Sequence, residues 1–187
     1  MDWKSLANEI AHWVLTVSSA PGELAELRRA GLHSAFSVPF LKLMVTVVEP
    51  LRPPPSSPEL RERYYRDFAT IARSAALLAS MHDEKGSLGR ALAKTGYSEH
   101  RLLRLLRTKG DILEHEIGAC ALWLSRHEEE GVKISLADVI ALVLEQDTKH
   151  AEDVRLKIAQ DYFREIEQMA LGKEPGEQAS AISYSKA

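Results

Sequence analysis

Apolar residues recur along this chain at three- and four-residue intervals, and no run sustains the alternation of a half-buried strand. That period confines the chain to helices, each with an apolar stripe that must be buried against other helices. The fold class expected is all-α, a compact bundle of about eight or nine helices. Residues 1–171 are read as a single all-α domain, which could also divide into two closely packed lobes, 1–84 and 85–171. A Pro-rich linker covers 52–58, and 172–187 are expected to form a disordered C-terminal tail.

Punctuation places the helices. Trp3, Leu6, Ile10, Trp13 and Leu15 begin an amphipathic helix that ends near Ser18. A second follows Pro21 and stops at Gly31, a plausible glycine just past a helix end. Pro39 suits the first turn of a third, FLKLMVTVV, which Pro50 closes. The run RPPPSSP cannot be helical throughout and reads as a stiff linker. Ser57 and Pro58 then supply the cap and first position of a long helix reaching about His82. Asp111-Ile-Leu-Glu114 has capping-box spacing and is expected to open a helix that ends at Gly131. Ser135 opens another, with Asp138 near its positive end, and a last helix runs from about Thr148 to Leu171.

Composition narrows the class. A hydrophobic content of 45% supplies a globular core and is wrong for a disordered chain. The lone Cys120 sits in an apolar helical pattern, which excludes an intrachain disulfide and fits a reducing compartment. The N-terminus shows no secretory signal, and no apolar stretch is long enough to span a bilayer. A cytoplasmic protein with no membrane partner is the expectation.

Net charge is −3, but it is unevenly spread. Residues 61–110 hold 11 basic and 5 acidic side chains, whereas 111–187 hold 8 and 16. The basic excess centres on GSLGRALAKTGYSEHRLLRLLRTK, Gly86 to Lys109, which carries Arg90, Lys94, Arg101, Arg104, Arg107 and Lys109 against the single acid Glu99. At about 100° per residue, Arg101, Arg104 and Arg107 form one ridge and Leu102, Leu103, Leu105 and Leu106 the other side. A solvated face ordinarily mixes signs, so this ridge points to phosphates repeating along a nucleic-acid backbone. Arg28 and Arg29, at the end of the second helix, are a weaker candidate pair, since cations at a helix C-terminus also stabilise it.

Two alternatives share the segment. Ser87 could simply cap a helix while Gly86 makes the turn. The helix–GYS–helix pattern also fits a helix-turn-helix regulator, with Ser98, Glu99 and Arg101 reading bases. Catalysis has little support. Asp147-x-x-His150 is an isolated pair, and Glu114-His115-Glu116 points in different helix directions. Cys120 has no activating base beside it. No catalytic residue, metal or cofactor is expected.

The segment LGRALAKTGYSEHRLLRLLR and the later EDVRLKIAQDYF together resemble a known family. They are similar to the small α-helical subunit of the type I-E CRISPR surveillance complex, the CasB family of Cascade. Ser87 to Leu92 match its serine-leucine-glycine-arginine-alanine-leucine element, Gly96 its turn glycine, and Arg101 to Arg107 its arginine-bearing leucine helix. Arg28-Arg29 stand where the family often has an Arg-Arg pair, and Asp161-Tyr162 match its closing Asp-aromatic pair. The resemblance implies a non-catalytic subunit, present as two self-associating copies beside other Cascade subunits. It would contact CRISPR RNA and target DNA backbones and hold the displaced strand, with sequence reading left to base pairing.

Overall fold

Pro58 starts the helix on which the others are laid. Ser57 before it is extended, and the missing proline N–H is one that a first turn would leave unbonded anyway. The computed structural model describes residues 3–29 and 37–172. The expected stop at Gly31, and residues 173–187 of the expected tail, lie outside the described residues. In chain order the helices are α1 (Trp3–Val17), α2 (Pro21–Arg29), α3 (Val38–Leu43), α4 (Glu49–Leu51), α5 (Pro58–Leu78), α6 (Leu88–Lys94), α7 (Glu99–Arg107), α8 (Gly110–Ser125), α9 (Leu136–Leu144) and α10 (Lys149–Leu171). No β-strand occurs among the described residues. His82 and Ile134 form an isolated parallel bridge. The all-α class is therefore observed.

Helix α5 buries Phe68, Ile71, Ala72, Ala75 and Leu78, with small residues at several contact points so that neighbours approach closely. It packs against α1, α2, α3, α8 and α9, while α10 lies along α6 and α9, and α7 rests on α8. One hydrophobic cluster runs through all of this, from Trp3 and Leu6 to Ile158 and Tyr162.

Local details depart from the expected boundaries in instructive ways. The third helix does not stop at Pro50. A π-helical stretch, Met44–Val48, leads from α3 straight into α4, which contains Pro50 near its start. Proline has no N–H to donate and crowds the preceding turn, and the widened π turn accommodates both. Leu15 is 48% exposed and so does not belong to the stripe that α1 buries. Helix α8 opens at Gly110, and Asp111 makes no capping box; its carboxylate pairs with Arg66 at 3.3 Å. The same helix ends at Ser125 rather than Gly131. A short 3₁₀ turn, Glu128–Glu130, follows, and Gly131 closes it with a left-handed φ of 66°. The Pro-rich run is non-helical as expected and is strapped down, its Arg52 carbonyl accepting from Tyr64 Oη at 2.5 Å.

Candidate nucleic-acid interface

The central basic segment is seated by α6. Ser87 Oγ accepts from the Arg90 N–H at 3.3 Å, the expected helix cap, and donates to Asp161 Oδ2 on α10 at 2.7 Å. Two residues on, Gly89 meets α10 so closely that a Cβ there would overlap the Ile158 carbonyl oxygen. The Leu88 N–H donates to Asp138 Oδ2 at 3.3 Å, and Tyr162 Oη to the Tyr97 carbonyl at 2.6 Å. Gly86 is a close-approach glycine, since a Cβ would strike the Ile134 backbone. Ser87, Gly89, Asp161 and Tyr162 are thus one structural junction, although they lie far apart in sequence.

The turn into α7 uses Gly96 at φ 68°, left-handed backbone that glycine adopts without strain. Helix α7 then drives Leu102 and Leu105 fully into the core, leaves Leu103 and Leu106 half-buried, and turns Arg101, Arg104 and Arg107 outward. This is the ridge expected from the spacing.

Its cations have unequal partners. Arg104 Nε pairs at 2.9 Å with Glu116, whose side chain is 5% exposed. Lys94 lies 3.6 Å from Glu165, and Lys109 lies 3.0 Å from Asp147 and 3.9 Å from Glu152. Arg101 lies over the ring of Trp123 at 5.2 Å from its centroid, inside the reach of about 6 Å of a cation–π contact. Trp123 is itself held by its Nε1 donating to Thr95 Oγ1 at 3.2 Å and by a stacked His127. Arg107 makes no ion pair among the described residues, and Arg90 only donates to the Lys85 carbonyl at 3.3 Å. Arg28 donates from Nε to the Ala76 carbonyl at 3.1 Å, which ties it to the end of α5. Arg29 is on the surface of the same helix end. In α10, Arg155 is buried and bonded to the Gln146 carbonyl, while Lys157 is paired with Asp138.

The chain matches the profile described as CRISPR-associated protein Cse2 over residues 23–163. It belongs to that family, the small-subunit family of type I-E Cascade. None of the curated proteins and none of the solved structures compared matches it. The Cse2 match takes in both halves of the junction built by Ser87, Gly89, Asp161 and Tyr162. It also covers the whole basic segment and Arg28-Arg29.

Other candidates resolve differently. Burial pushes the Cys120 thiol up to about 12, in keeping with a core residue. His150 lies 3.6 Å from Glu145, not beside Asp147, whose carboxylate takes Lys109 instead. No group of three metal-ligating side chains occurs among the described residues, and no helix among them is long and apolar enough to cross a membrane. Trp123 presents a half-exposed edge under Arg101, a pairing that spacing along the chain does not signal because the packing of α7 on α8 creates it.

Proposed function

We propose that this chain is a non-catalytic Cascade subunit that binds the phosphate backbones of guide RNA and target DNA and so stabilises the R-loop. One observation carries the reading. The leucines of α7 anchor the helix in the core while Arg101 and Arg107 stand outward without an acidic partner among the described residues. Guanidiniums held on a rigid ridge suit repeating phosphates, and a backbone grip is blind to sequence, as a system that reads sequence by base pairing requires. Self-association as two copies, with other Cascade subunits as neighbours, belongs to the same proposal.

The test is binding of a labelled RNA–DNA hybrid across a salt series. Arg101→Ala with Arg107→Ala leaves the Arg104–Glu116 pair intact. It should weaken binding equally for unrelated sequences and lower the salt slope by about one to two. Unchanged binding at low salt would remove the ridge from the interface. Selective binding of a duplex operator by the isolated protein would favour a helix-turn-helix regulator instead.

A further inference from the structure

A concavity of about 290 Å³ opens beside α6, between the 83–87 turn and the loop 131–133. Four cations line it: Lys85, Arg90, Lys94 and Lys133. Two of them, Lys85 and Lys133, stand outside the segment that the sequence pattern singles out as the interface. Asp83 is the one acid in the lining, and Glu165 reaches Lys94 from α10. Asp83 is partly occupied, with Oδ1 accepting the Lys85 backbone N–H at 2.7 Å. Neither Lys85 nor Lys133 makes an ion pair among the described residues, and the Lys133 ammonium donates only to the Ser80 carbonyl, at 3.4 Å. Cations exceed acids at this place.

The two walls are fixed to each other. Asp83 N–H donates to the Ile134 carbonyl at 2.9 Å, Ile134 N–H to Met81 at 3.0 Å, and Ser87 N–H to Lys133 at 3.3 Å. Gly86 lets the strands of chain touch where any side chain would push them apart. The backbones of Lys85 and Lys133 are therefore held in register, which fixes the roots of both side chains at the rim of one concavity. The space is at the small end for ligand pockets, which run from about 300 to 1,000 Å³. It has mixed polar and apolar walls and excess positive charge, so a phosphate with its sugar suits it better than a bulky apolar ligand.

We infer that Lys85, Arg90, Lys94 and Lys133 form a phosphate seat for one backbone phosphate of a bound nucleic acid. The inference rests on the nucleic-acid reading above. It extends that interface past α7, around α6, to the 131–133 loop.

The experiment uses the full chain and the same labelled RNA–DNA hybrid. Lys85→Ala with Lys133→Ala should weaken binding about tenfold at low salt and lower the salt slope by about one. Lys42→Ala, on α3, removes one charge at a different site, so a comparable loss per charge there would mean a general charge effect and would overturn the seat. Both lysines are exposed, and unchanged thermal unfolding of the double variant shows that the fold survives. If Arg101→Ala with Arg107→Ala weakens binding and the lysine pair does not, the seat is wrong and the ridge reading stands. If neither pair matters, the nucleic-acid reading itself fails. Inorganic phosphate is the second arm. Protection of Lys85 and Lys133 from amine labelling by the hybrid, with none by millimolar phosphate, supports a polynucleotide seat. Equal protection by phosphate alone, with no loss of hybrid binding in the lysine pair, assigns the concavity to a free anion and overturns the proposal.

Discussion

Ser87 Oγ and Asp161 Oδ2 lie 2.7 Å apart, joining residues 74 positions distant and bolting α6 to α10. The same hydroxyl caps α6, so it satisfies a backbone N–H and a carboxylate at once. Ser87→Ala should destabilise the protein by about 1–3 kcal/mol, read from denaturant midpoints, because a cap is lost and a part-buried acid loses its donor. Ser98 begins α7 without a side-chain cap bond, so Ser98→Ala should cost roughly 0.5 kcal/mol or less. Equal losses would show that the α10 link is not what matters at Ser87.

Gly89 and Gly96 lie in one short segment but differ in why they are glycine. Gly89→Ala forces a methyl into the Ile158 carbonyl, so α6 and α10 must part. The expected loss is about 3 kcal/mol or more, or failure to express in soluble form. Gly96→Ala meets nothing within 4 Å and incurs only its left-handed φ, about 1 kcal/mol. Circular dichroism melts of the two variants separate close approach from backbone conformation.

Arg104 and Arg107 share a ridge and should separate by assay. Arg104→Ala leaves the carboxylate of Glu116 buried with its cation gone, so stability should fall by about 1–3 kcal/mol. Adding Glu116→Gln should restore much of it. Arg107→Ala should leave the melting temperature nearly unchanged while nucleic-acid binding weakens. A melt in which both single variants behave alike would contradict the assignment.

Burial raises the Asp67 carboxyl to about 6, outweighing the pull of Arg63 and Arg66. The unfolded carboxyl titrates near 3.9, so between about 4 and 6 the folded chain holds a proton that the unfolded chain has released. Stability from this group therefore falls as pH rises through that window and stays lower above it. Asp67→Asn should be near neutral at pH 4 and stabilising at pH 7, by at most about 3 kcal/mol. Glu114 is raised as well, by burial first and by Asp67 next, so the substitution relieves it too. Melting temperatures measured from pH 4 to 8 check the sign, and a gain that is constant with pH would refute it.

The helical period, the helix starts at Ser57-Pro58 and near Thr148, and the inward leucines of α7 were all legible from spacing, because they depend on neighbours within one or two turns. The expected Ser57 cap makes no side-chain bond to its helix, whereas Thr148 does. The π stretch before Pro50 and the early start of α8 were not legible, since both answer to packing outside the local window. Exposed charges a Debye length apart barely interact, but the fold brings Glu116, Glu165 and Asp147 within 4 Å of Arg104, Lys94 and Lys109. The acidic half of the chain thus neutralises part of the basic half. The cations left over are a subset that only tertiary contacts select.

The straps from 132–134 onto 81–87 have a consequence for how the protein comes into being. On the ribosome, α6 and α7 emerge before the loop that braces them and well before Asp161 on α10. Contacts of such long range must first overcome loop-closure entropy. A chain cut before α10 would lack both the carboxylate that Ser87 bonds and the backbone on which Gly89 packs. The last helix to be made is therefore the one that sets the position of α6, so the basic segment takes its final shape only when the chain is nearly complete.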